Sequence, residues 1–147
     1  AALRTLAEGA LVATDLDVAG GPLGLPEIRT DGCTLCGTCT TLCPTAALRM
    51  EGEVEAPALT LDAGRCIACG HCVEVCPERV ISLERRTAPQ TLAGRRTLKG
   101  AEAGRCRRCG APVAPEPMLA RIRELLPEES PALLEVLTGL CLDCRGR

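Results

Sequence analysis

Eight of the chain's twelve cysteines form two copies of one spacing pattern. The copies are Cys33-x2-Cys36-x2-Cys39-x3-Cys43-Pro44 and Cys66-x2-Cys69-x2-Cys72-x3-Cys76-Pro77. Three thiolates at this close spacing can reach three iron corners of a cuboidal iron–sulfur cluster, whereas the fourth cysteine, followed by proline, points away from its own loop. Structural zinc instead takes its ligands as two separated pairs. The pattern therefore predicts two [4Fe–4S] clusters and, with them, electron transfer.

The other four cysteines form two CxxC pairs near the end of the chain. They are Cys106, Cys109, Cys141 and Cys144. Two such turns facing each other make a tetrahedral site of four sulfurs, which is the closed geometry of structural zinc. Four thiolates also bind [2Fe–2S] or [4Fe–4S] clusters, so a third iron–sulfur cluster is the alternative. The pairs predict one Zn²⁺ ion at these four residues.

The amino-acid composition argues against nucleic-acid binding and against a membrane span. The chain contains no Phe, Tyr or Trp, so its core must be aliphatic and it offers no aromatic platform for single-stranded nucleic acid. Its formal net charge of −2 also argues against a general nucleic-acid binder. The apolar stretches are only a few residues long, and no segment is expected to span a membrane.

The cysteines are expected to be reduced metal ligands rather than disulfides. The start of the chain lacks the charged, apolar and small-residue regions of a secretory signal. Without a secretory route a disulfide framework is disfavoured, and thiolates that carry metal fit the cytoplasm. We therefore expect a cytoplasmic protein.

The cysteine motifs divide the chain into four parts. Residues 1–24 hold no cysteine and are expected to form an N-terminal arm. Residues 25–86 form an internal repeat, in which each half reads as a strand, a cysteine loop, a short helical turn and a second strand. Residues 87–104 contain glycines and basic side chains and are expected to be a basic linker. Residues 105–147 carry two apolar stretches with helical spacing, which predict a small helical tail that is stabilised by a bound metal ion.

Residues 25–86 closely resemble the bacterial dicluster [4Fe–4S] ferredoxin domain, because both motifs match it without a missing cysteine. The resemblance implies an α+β chain with a ferredoxin-like, pseudo-two-fold βαββαβ domain that transfers one electron at each cluster. It also implies crossed ligation, in which each fourth cysteine binds the cluster of the other loop. The first cluster would be bound by Cys33, Cys36, Cys39 and Cys76, and the second by Cys66, Cys69, Cys72 and Cys43. The tail resembles a zinc-ribbon-type pair of knuckles.

These features favour an electron carrier over an enzyme. The sequence shows no Ser/His/Asp or Cys/His set, no phosphate loop and no open metal position, so no small-molecule substrate site is expected. The additional arm and tail suggest redox protein partners in a larger oxidoreductase complex, such as a hydrogenase, a formate dehydrogenase or another molybdenum enzyme; this step is an analogy. Two alternatives remain: a nucleic-acid-associated iron–sulfur and zinc protein, and a scaffold for iron–sulfur cluster assembly.

Overall fold

The computed structural model describes residues 23–85, 94–126 and 131–146. Nearly all of the expected N-terminal arm therefore lies outside the described residues. The described chain is a mixture of short strands and short helices around small sheets. Its strands are β1 (Leu25–Ile28), β2 (Leu48–Glu51), β3 (Ala58–Asp62), β4 (Ile81–Glu84), β5 (Arg95–Gly100), β6 (Ala103–Arg105) and β7 (Pro112–Pro115). Its α-helices are α1 (Thr38–Thr41), α2 (His71–Glu74), α3 (Glu116–Leu125), α4 (Pro131–Gly139) and α5 (Leu142–Arg145).

The internal repeat expected from the cysteines extends to every element between β1 and β4. Residue 33 of the first half corresponds to residue 66 of the second, an offset of 33 residues. At this offset β1 corresponds to β3, α1 to α2 and β2 to β4. The pairing crosses between the halves, because β1 is antiparallel to β4 and β2 is antiparallel to β3. Each strand pair therefore contains one strand from each half.

Corresponding residues of the two cysteine loops share an unusual backbone conformation. Leu35 and Ala68 have φ angles of 57° and 53°, and Ala46 and Arg79 both have 51°. These angles lie in the left-handed region that residues other than glycine seldom adopt. The two halves therefore share the detailed path of the loops as well as their cysteine spacing.

The core is aliphatic, as the composition requires. Leu48, Leu59 and Leu61 are almost fully buried between the halves, and Cys39 and Cys66 belong to the same cluster of buried side chains. Burying a leucine side chain contributes about 1.5–3 kcal/mol. The cysteine loops thus lie directly against the hydrophobic core.

Part of the segment expected to be a linker is a strand. Residues Arg95–Gly100 form β5, which pairs with β3 and extends the sheet to the order β2-β3-β5. Its sequence gave little strand signal, because Leu98 is its only large aliphatic residue and an edge strand tolerates many charged side chains. The strand links the repeat to the tail.

The tail combines a hairpin with helices. The expected helical stretches are confirmed as α3 and α4, whereas the β6–β7 hairpin was not foreseen. Gly104 of β6 lies so close to α3 that a Cβ atom there would stand 2.4 Å from Cδ1 of Leu119. Among the described residues, no helix is long and apolar enough to cross a membrane.

Candidate metal centres

The first cavity is lined by three cysteines of the first loop and one of the second. These residues are Cys33, Cys36, Cys39 and Cys76. Leu59, Val80 and Ile81 form apolar walls, and Glu78 lies at the same cavity. Cys39 is buried, whereas Cys36 is exposed.

The second cavity is lined by three cysteines of the second loop and one of the first. Its cysteines are Cys43, Cys66, Cys69 and Cys72. Pro26, Leu48 and Leu83 form its apolar walls, and the exposed His71 lies at its edge. No residue lines both cavities. The structure thus places each fourth cysteine beside the loop of the other half.

Backbone hydrogen bonds at the ends of the strands accompany this exchange. The N–H of Ala46 donates to the carbonyl of Cys43 at 3.1 Å, and a turn follows the Cys43-Pro44 dipeptide. The N–H of Asp62 then donates to the carbonyl of Ala47 at 2.9 Å. The same bonds recur in the other half, from Arg79 to Cys76 and from Arg29 to Val80. Each Cys-Pro turn is therefore tied to the start of the other half.

Some of the cavity thiols, among them Cys39 and Cys72, resist ionisation when no cation is bound. Burial, with repulsion from Cys33 and Cys36, raises the pKa of Cys39 to about 12. Burial, with repulsion from Cys66 and Cys69, raises the pKa of Cys72 to about 11. Ligation requires thiolates, so positively charged metal must balance them. This donor set fits an iron–sulfur cluster in each cavity.

Hydroxyl groups lie beside one exposed and one half-buried thiol. The Sγ atom of Cys36 lies 3.4 Å from Oγ1 of Thr38, and that of Cys43 lies 3.8 Å from Oγ1 of Thr45. Burial acts to raise the pKa of Cys36, but hydrogen bonds from Thr38, from Thr34 and from the backbone of Cys36 together outweigh it and the net pKa is lowered. Such donors stabilise negative charge on sulfur and tune cluster potentials.

The four tail cysteines form a much tighter group. Their sulfur atoms all lie within 4.8 Å of one another, and those of Cys109 and Cys141 are 3.5 Å apart. A tetrahedral ion with Zn–S bonds of the usual length places its sulfurs about 3.8 Å apart. Within the described ranges, no other group of three or more metal-ligating residues is as close. This spacing fits one metal ion, whereas a cluster spreads its ligands over several irons.

Backbone hydrogen bonds shape the two knuckles of this site. The N–H of Gly110 donates to the carbonyl of Cys106 at 2.8 Å, and Gly110 has the positive φ of 77° that such a turn needs. The N–H of Cys144 donates to the carbonyl of Cys141 at 3.0 Å, at the start of α5. Three of the four cysteines are buried, and only Cys109 is exposed.

The pKa values of two of the tail thiols also indicate that this site binds a cation. A backbone hydrogen bond from Cys141 is the main cause that lowers the pKa of Cys106 to about 6, despite the opposing effect of burial. Burial and the neighbouring sulfurs raise the pKa of Cys144 to about 12. The second thiolate is thus disfavoured once the first has formed. A bound metal ion would replace the remaining protons.

Two basic residues of β5, which the cysteine spacing does not indicate, contact the cysteine loops. Arg95 donates to the carbonyls of Ala46 and Ala47, both at 3.1 Å, behind the Cys43-Pro44 turn. Lys99 donates to the carbonyl of Cys33 at 2.7 Å. The only sequence pattern that points to these contacts is the excess of basic residues in this segment. The same excess is equally typical of a solvent-exposed surface.

Comparison with known proteins agrees with this geometry. The family described as the 4Fe-4S dicluster domain matches residues 32–80 and again residues 65–114. The first match spans both cysteine motifs of the repeat, and the second extends from the second motif past Cys109. Together the matches cover more than half of the chain. No curated protein matches it. The expected resemblance is thereby confirmed, and the chain belongs to the 4Fe-4S dicluster domain family.

Proposed function

We propose that the chain is an electron carrier with two [4Fe–4S] clusters in crossed ligation. The first set of ligands would be Cys33, Cys36, Cys39 and Cys76, and the second Cys66, Cys69, Cys72 and Cys43. The observation that carries this proposal is the lining of the two cavities, each of which joins three cysteines of one loop to the Cys-Pro cysteine of the other. When bound, each cluster supplies one-electron redox chemistry.

The residues around the cavities suit this task. Leu59 and Ile81 at the first cavity, and Leu48 and Leu83 at the second, exclude water from the inner side of each site. Low polarity strengthens the hydrogen bonds that donors make to sulfur. Cys36 and Cys69 are exposed, so each site also reaches the surface where a partner can approach.

We also propose the ferredoxin-like, pseudo-two-fold arrangement for residues 25–86. The 33-residue offset of the elements and the exchange of strands between the halves support it. The domain division follows as a proposal: an N-terminal arm over 1–24, the dicluster domain, a connecting segment over 87–104 that includes β5, and the tail over 105–147.

The tail is proposed to hold one structural Zn²⁺ ion. The tight spacing of its four sulfurs supports a single ion, and a closed set of four cysteines leaves no open position for catalysis. Its outer surface includes large apolar side chains: Leu125, Leu133 and Leu142 are 64%, 48% and 81% exposed. We propose that these side chains contact a redox partner.

We therefore place the chain as a non-catalytic module that serves redox protein partners in the cytoplasm. The extra tail supports docking into a larger oxidoreductase complex of the hydrogenase, formate dehydrogenase or other molybdenum-enzyme type. This choice of complex rests on analogy with such enzymes.

Metal analysis of anaerobically purified protein tests the cofactor content. We expect about eight irons and about eight sulfides per chain, from two clusters, and about one zinc. Reductive titration should take up about two electrons per chain. About four irons would contradict the two-cluster proposal, and iron in place of zinc would contradict the assignment of the tail.

A further inference from the structure

Lys99 donates to the carbonyl of a proposed ligand in the first cysteine loop, and among the described residues no side chain does the same for the corresponding Cys66 of the second loop. The Nζ atom of Lys99 donates to the carbonyl of Thr30 and to that of Cys33, the latter at 2.7 Å. Lys99 is partly buried, and no described carboxylate pairs with it. A cation without a described carboxylate partner is therefore hydrogen-bonded to the backbone of a proposed cluster ligand.

The internal repeat explains why a side chain is needed at this place. In the second half, the carbonyl of Cys66 accepts a hydrogen bond from the backbone N–H of Gly24 at 3.3 Å. At the 33-residue offset, the counterpart of Gly24 is Pro57, which has no N–H to donate. Lys99 supplies the donor that Pro57 lacks. The carbonyl of Cys33 therefore accepts its hydrogen bond from a charged ammonium group, whereas the carbonyl of Cys66 accepts from a neutral backbone amide.

A bulge in β5 turns Lys99 towards the first loop. Thr97 pairs with Thr60, but the next pair is Lys99 with Leu59, so Leu98 is an extra residue in the ladder. In an unbroken register Leu98 would pair with Leu59, and Lys99 would point to the opposite face. Because cross-strand partners share a face, Lys99 lies on the side of Leu59, which lines the first cavity.

We propose that Lys99 is a positioning residue that fixes the Cys33 turn and raises the reduction potential of the first cluster. This inference rests on the proposed function, since it requires a cluster in that cavity. Reduction adds negative charge, and a nearby ammonium favours the reduced state. The charged residue that lines this cavity, Glu78, is paired with Arg121 at 3.1 Å.

The effect is local to the first cluster. The second loop has its own basic neighbour, Arg85, which donates to the carbonyl of Ala68 at 3.4 Å. Arg95 is also close to the second site, but it is paired with Glu51 at 3.3 Å. The proposal therefore concerns the change on removing Lys99, rather than which cluster has the higher potential.

Three substitutions separate the charge of Lys99 from its hydrogen bonds. Lys99→Gln keeps a donor without the charge, Lys99→Met removes both, and Lys99→Arg keeps both. Arg96→Met is the matched control, since Arg96 is an exposed cation on the same strand. Each variant is prepared anaerobically, its iron and sulfide are counted, and its two potentials are measured by redox titration with paramagnetic resonance.

In Lys99→Gln and Lys99→Met we expect one potential to fall by about 59 mV, a tenfold change in a one-electron equilibrium, with the other unchanged. Lys99→Arg and Arg96→Met should keep both potentials. Unchanged potentials in a fully loaded Lys99→Gln protein would overturn the inference and leave the proposed function standing. Loss of the first cluster from Lys99→Gln would also overturn it, because Lys99 would then be structural alone. Wild-type protein without two clusters would contradict the proposed function itself.

Discussion

At the scale of single residues, cysteine spacing predicts two clusters and separates each fourth cysteine from the other three of its motif. The spacing does not say which cluster that fourth cysteine binds. The crossed sets came from a family resemblance, and the structure brings the same eight residues to two separate cavities. Lys99 could not be foreseen, because its role depends on a bulge and on a proline in another strand.

Two matched substitutions test the crossed sets. In Cys76→Ala we expect loss of about half of the iron, from the cluster of Cys33, Cys36 and Cys39, because the fourth ligand comes from the other half. Cys43→Ala should remove the cluster of Cys66, Cys69 and Cys72 instead. Resonance spectra of the two variants should therefore retain different clusters. Selective loss of the cluster in the mutated residue's own loop would show that ligation is not crossed.

At the scale of elements, the repeated cysteine motif predicts the two halves of the repeat, and the helical spacing of apolar residues predicts the two tail helices. No sequence pattern predicts the charged strand β5. β5 has one large aliphatic residue and three basic ones, so its sequence resembles a solvated connector. Its strand pairing depends on the β3 edge, which no local pattern describes. The β6–β7 hairpin is similarly short, with prolines at both ends of β7.

The close approach of β6 to α3 leads to a stability prediction. In Gly104→Ala the new Cβ would lie 2.4 Å from Cδ1 of the buried Leu119 and 2.8 Å from Oε2 of Glu116. We expect a loss of about 1–3 kcal/mol in the stability of the tail, the usual cost of overpacking. Faster hydrogen exchange at the amides of α3 would report it.

Gly146→Ala is the control for this measurement. A Cβ at Gly146 meets nothing within 4 Å, so the substitution should change stability by less than about 0.5 kcal/mol. Equal exchange rates in the two variants would mean that β6 and α3 do not pack as closely as described.

At the scale of the whole molecule, few contacts join the described part of the repeat to the β6–β7 hairpin and the helices that follow β5. The N–H of Ala103 donates to the carbonyl of Glu55 at 2.8 Å, and Arg121 of α3 pairs with Glu78 beside the first cavity. Partly exposed ion pairs contribute only about 0–1 kcal/mol. The repeat should therefore hold its clusters without a folded tail.

Removing the tail metal tests this independence. In the double variant Cys109→Ser, Cys144→Ser, we expect zinc to be lost and residues 105–147 to unfold, because ion binding contributes directly to their folding. The iron content and the reduction of both clusters by an artificial donor should be unchanged in the isolated protein. Hydrogen exchange locates the unfolded part. Disappearance of both cluster signals would show that the tail belongs to the redox core.

The left-handed residues of the two loops have a consequence for metal selectivity. Leu35, Ala46, Ala68 and Arg79 each hold a conformation that costs about 1–3 kcal/mol outside glycine. Ligation must offset that cost at both sites, so a loop that has lost its cluster gains by relaxing and moving its thiols apart. We therefore expect that an emptied site, with its thiols moved apart, no longer offers the grouped ligands that stray copper or zinc would need.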